Sequence, residues 1–126
     1  MILLNPKKYH RHDSDERSRE VMKKTIRFFE DRGLDQIKED FHERTWYADV
    51  LAFMAKELIL ATMMTYGEYG DEDSRWDSSR VCVFAEILGF YGLCYWYTYQ
   101  VSVLGFGPIW MSRNQALKQM ASRYLK

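Results

Sequence analysis

From Ile87 to Ser112 the chain carries no charged side chain. A run of this kind has three places to go: across a membrane, into the middle of a protein, or against a surface supplied by something else. Its length would reach across a bilayer, which takes about 20 apolar residues. Its content argues otherwise, because four glycines, Pro108, Thr98, Gln100, Ser102 and four tyrosines are spread through it. Gly89 and Gly92 divide it into two helical pieces of roughly 12 residues, each too short to cross. Two buried helices fit better, and the second is apolar on nearly every side. A helix apolar all round is covered all round. A lone bundle has one such central position, so this helix either fills that centre or faces a partner or ligand.

The remaining pattern is helical. Asp13 opens an acidic cap, and Val21, Met22, Ile26, Phe28 and Phe29 recur on one face of a helix over about residues 14–32, which Gly33 ends. Asp35 caps a short second helix with Ile37 and Phe41 inside. A third begins near Arg44 and buries Trp46, Tyr47, Val50, Leu51 and Met54. The run Leu58–Met64 has neither a helical stripe nor a stop signal, and extended structure is expected from about Leu60. Residues 65–79, with two glycines and an acidic cluster, form the one long loop. Asp77 caps a fourth helix that packs Val81, Phe84, Ala85 and Leu88 and ends at Gly89. A fifth spans residues 92–104, broken by Gly105, Gly107 and Pro108. Asn114 caps a sixth, with Leu117, Met120, Ala121 and Tyr124 inside. The expectation is an all-α bundle of five to six helices: residues 1–12 an N-terminal arm, 13–126 a single helical domain.

Charge excludes some roles. Eighteen basic and eighteen acidic side chains cancel, leaving no field to draw nucleic acid or an anionic membrane. The opening MILLNPKKYHRHDSDE has too short an apolar run for a signal peptide, so the cytoplasm is expected. Cys82 and Cys94 read as reduced, buried thiols. Candidate chemistry is sparse. Glu39 and His42 have the E-x-x-H spacing of di-iron bundles, but those need two copies and two further glutamates, so a solvated helix face is the reading. His10 and His12 sit in the arm as a chance pair. Glu86, beside the apolar run, is either a base of raised pKa or, more commonly, half of an ion pair with Arg80 or Arg113. No phosphate loop, nucleophile elbow or metal cluster is present. No catalytic or metal-ligating residue is assigned.

A set of ordered motifs does resemble a known family. A loop carries Glu68-Tyr69-Gly70, a helix ends Ala85-Glu86-Ile87-Leu88-Gly89, Gly105-x-x-Pro108-Ile109 follows, and then Asn114 opens an amphipathic helix. This is similar to the N-terminal helical domain of acyl-CoA dehydrogenases, over nearly the whole chain. Asp71, Tyr66 and Ile87 depart from the family pattern, and the FYGLCYWYTYQ run is bulkier than usual, so the acyl group is not specified.

The resemblance implies a parent enzyme with two further domains, a β-domain and a C-terminal helical domain, and FAD lying chiefly between them. It also implies α,β-dehydrogenation of an acyl-CoA thioester, with the catalytic glutamate coming in most members from the C-terminal domain. This segment alone would be inactive and would bind no cofactor. Its end at Lys126, with no C-cap after Leu125, reads as a cut. The helix matching residues 92–104 forms one wall of the acyl pocket in the family. Carried over by position, Trp96, Tyr97, Gln100 and Leu104 would line it, with ordinary core positions as the alternative. Spacings of three, four and seven put Tyr97, Gln100 and Leu104 on one helical face. Implied partners are acyl-CoA, the remaining domains of the chain and further copies in a homo-oligomer, with no nucleic acid and no membrane span. The other reading is a free-standing helical protein-interaction module whose aromatic face binds a partner.

Overall fold

A computed structural model describes Asn5 and residues 15–126, excluding the side chain of Trp46; Asp13, His10 and His12 lie outside the described residues. Six α-helices and one 3-10 turn follow in order, and no strand occurs among the described residues. They are α1 (Glu16–Glu43), α2 (Trp46–Lys56), α3 (Ile59–Met64), the turn Gly67–Tyr69, α4 (Ser78–Tyr91), α5 (Leu93–Met111) and α6 (Gln115–Leu125). The protein is an all-α bundle.

Asp15 caps α1, accepting from the Ser18 amide at 2.9 Å. The helix does not stop at Gly33 but turns there, at φ 76° and ψ 159°, and resumes to Glu43. The two helices expected here are thus two arms of one kinked element. The bend lets the first arm lie on α4 while the second runs past the start of α5. Ile37 is buried as expected, whereas Phe41 is exposed.

α2 buries Val50 and Met54, but Tyr47 and Leu51 stay exposed. The extended segment expected from Leu60 is instead α3. Ile59, Ala61, Thr62, Met63 and Met64 are all buried, so no polar face could have given the helix a stripe. α3 occupies the enclosed position that the sequence suggested for the fifth helix.

Asp77 caps α4 through the amides of Ser79 and Arg80, and α4 runs past Gly89 to Tyr91. Only Gly92 separates it from α5, which packs along it. α5 continues through Gly105, Gly107 and Pro108 to Met111. The proline lies in the last turn, where the Leu104 carbonyl loses its usual donor and the helix closes three residues on. Asn114 caps α6 through the Leu117 amide at 3.0 Å. Ala121 and Leu125 face inward, but Met120 and Tyr124 are exposed, correcting the inner face expected there.

The core is aromatic where α1, α4 and α5 meet. Phe29 stacks on Tyr91 at 4.6 Å and tilts against Tyr95 at 4.7 Å, and Phe84 meets Tyr99 edge-on at 4.8 Å. Phe28 stacks on Phe53 at 4.3 Å, holding α1 to α2. Polar links cross the same seams. Arg32 on α1 binds Asp40 and, at 2.9 Å, Asp49 on α2, while the Tyr91 hydroxyl donates to Glu30 at 2.8 Å.

Candidate functional site

The uncharged run resolves into a helix with two unlike sides. Tyr95, Tyr99 and Trp110 on α5 are buried in the bundle. On the opposite side Leu93 is 74% exposed, Tyr97 62%, Val101 49%, Leu104 66% and Met111 87%. Steps of four, four, three and seven place these five on one stripe along the helix. None of them meets a covering element of the chain, and no charge interrupts them. A large contiguous bare apolar patch marks an interaction site.

The four residues carried over as a pocket wall divide between this stripe and its edge. Tyr97 and Leu104 stand on the exposed side; Trp96 and Gln100 are half-buried on its shoulder, with Trp96 against the core. All four are accessible from one flank of α5. Sequence reasoning missed Leu93, Val101 and Met111 in the same stripe, although the four-residue step from Tyr97 to Val101 was there to be read.

The Glu68-Tyr69-Gly70 loop is held by structure rather than aimed at a site. The Tyr69 ring lies 5.9 Å from that of Trp110, and its hydroxyl donates to Gln115 on α6. A side chain at Gly70 would come within 2.3 Å of Ser74 Cβ, which is why the loop needs glycine there. Arg80, buried at the start of α4, closes the loop from beneath. Its guanidinium donates to Ser18 Oγ at 2.7 Å, to the Thr62 carbonyl at 2.8 Å, to the Asp73 carbonyl at 3.0 Å and to Asp15 at 3.2 Å. Burial pushes the Asp15 carboxyl up, but the Ser18 hydroxyl and amide with the Arg80 and Arg75 charges outweigh it and hold it well below the carboxylate range. The Arg80 guanidinium thus ties α1, α3 and the loop together as a clamp.

Of the two partners expected for Glu86, Arg80 pairs with Asp15 instead; Glu86 is exposed. Glu39 and His42 are exposed on the second arm of α1, and Asp40 between them is turned inward to Arg32. The described residues hold no group of three or more potential metal ligands. Cys82 is exposed and Cys94 half-buried, correcting the expectation of two buried thiols; they are unpaired. No helix of the described residues is long and apolar enough to cross a membrane.

No family model, curated protein or solved structure matches the chain.

Proposed function

We propose that the chain works as a helical packing domain, with the bare stripe of α5 as one half of an interface. The observation that carries this is the stripe itself: Leu93, Tyr97, Val101, Leu104 and Met111 form an unbroken apolar row that the bundle leaves uncovered. Leaving such a row in water has a cost of roughly 25 cal/mol per Å² relative to covering it.

The other half, in the reading supported by the motif order, is the rest of an FAD-dependent acyl-CoA dehydrogenase in the cytoplasm. Tyr97 and Leu104, with Trp96 and Gln100 on the shoulder, would then wall one side of the acyl pocket. Two bulky aromatics narrow such a pocket, and Gln100 adds a polar group that an alkyl chain must avoid. No residue of this segment is assigned to the flavin or to proton abstraction. The Gly105-x-x-Pro108 element, read as a break, lies inside α5, so the support rests on the Glu68–Gly70 loop, the Ala85–Gly89 helix end and the stripe.

The test is to purify the product of the whole natural reading frame that holds these residues. A yellow protein whose flavin is bleached by an acyl-CoA thioester supports the enzyme reading. A colourless product inert to thioesters sinks it. A second reading, a free-standing interaction module, is favoured by the exposed Tyr47 and Leu51 on α2, which packs against α5. It requires a stoichiometric complex formed by these 126 residues alone and lost on Leu104→Glu.

A further inference from the structure

A second feature lies at the opposite end of α5 from its proline. The second arm of α1 and the α4–α5 junction enclose an apolar groove of about 430 Å³. Ile37, Tyr91 and Tyr95 make its floor, all three buried, and the exposed rings and branches of Phe41 and Leu93 form its two lips. The Tyr95 hydroxyl is buried without a hydrogen bond of regular geometry. Cys94 opens its half-buried thiol onto the groove.

The Asp40 carboxylate, whose charge reaches Tyr95 and Cys94 from behind the floor, is paired with Arg32. Lys38 and His42, one turn apart on α1, stand on the rim, and no acidic side chain lines the groove. Lys38 has no ion-pair partner among the described residues. The volume falls within the range of small-molecule sites, roughly 300–1,000 Å³.

We propose that this groove binds a free medium-chain carboxylate, its alkyl tail on Ile37, Tyr91 and Leu93 and its head at Lys38. An alkyl chain matches the long apolar floor, and the carboxylate supplies the anion that Lys38 lacks. The groove shares Leu93 with the α5 stripe but otherwise draws on the α1 side of the junction.

The test uses decanoate, decanol and decylammonium, each below its micelle concentration, with the full chain carrying Cys82→Ser so that only Cys94 reports. The rate of Cys94 alkylation is followed by intact mass. Decanoate is expected to slow alkylation about two- to five-fold more than decylammonium does, the range that one exposed ion pair supplies, with decanol between them. Lys38→Glu, at an exposed position that the fold does not need, reverses the order of the two charged chains. Phe41→Ala, also exposed, weakens all three. Equal protection by the three chains, or an unchanged order in Lys38→Glu, overturns the proposal, as does a Cys94 rate indifferent to decanoate.

Discussion

Tyr99 and Tyr95 carry the largest burial on α5, yet each brings a hydroxyl that finds no hydrogen bond of regular geometry. Burial pushes the Tyr95 phenol up to about 12, helped by the Asp40 charge, and raises that of Tyr99 further. An unpaired buried hydroxyl costs about 1–3 kcal/mol. Tyr99→Phe keeps the ring against Phe84 and removes the penalty, so it is expected to raise stability by about 1 kcal/mol, seen as a higher urea midpoint. Arg80 is the reverse case. Arg80→Ala leaves the Asp73 carbonyl without its donor and takes one of two arginines from Asp15, which keeps Arg75 and Ser18, and is expected to cost about 1–3 kcal/mol in the same titration.

The carboxyls set the acid limit. Asp15 is held below its ordinary 3.8, as is Asp40, where the Arg32 hydrogen bond outweighs burial. A carboxyl with a lower pKa folded than unfolded binds fewer protons when folded, so its stabilisation is complete above the unfolded value and drains as pH falls towards the folded one. Urea midpoints are therefore expected to fall steeply below about pH 4. Asp15→Asn lowers the neutral midpoint and flattens that acid slope. An acid limb as steep as before in the variant would contradict the assignment.

Gly33 shows how one residue shapes an element. Its φ of 76° with ψ 159° lies in a region nearly closed to side chains, and nothing stands within 4 Å of where a Cβ would go. Any cost of Gly33→Ala is thus conformational, about 1–3 kcal/mol. The kink also brings Ile37 and Phe41 to the groove at Gly92, so the same variant is expected to disturb Cys94 reactivity. Caps were the most legible part of the elements: Asp77 and Asn114 act where their chemistry put them, because a capping bond is local. Helix ends at glycine were less so. Gly89, Gly105 and Gly107 all sit inside helices, since the packing of α4 on α5 outweighs a glycine's cost of about 1 kcal/mol.

As a whole the molecule has an uncovered side. Isolated chains are expected to pair through the α5 stripe at high concentration, and Val101→Glu with Leu104→Glu to return them to monomers in sedimentation velocity runs. Neither residue is in the core, so the double variant should fold. A variant that associates as the parent does would move the interface elsewhere. The candidate site was legible in part. Tyr97 and Leu104 are accessible, while Met120, Tyr124, Phe41, Tyr47 and Leu51, given to the core by spacing, face outward. Periodicity identifies an apolar face; it does not say whether the chain possesses a surface to cover it.

Pattern and local chemistry determined an all-α bundle, though not its helix Ile59–Met64, where Asp77 and Asn114 start their helices, and that residues 87–112 would need cover, because those depend on neighbours in sequence and on the aversion of apolar atoms to water. Which run took the enclosed position was settled only in three dimensions. α3, six residues with no stripe, is wrapped by the bundle, and the longer α5 is left half bare. Hydrophobicity measures how much a helix gains from burial, but a short helix fits a gap that a nineteen-residue one cannot, and geometry assigned the centre accordingly.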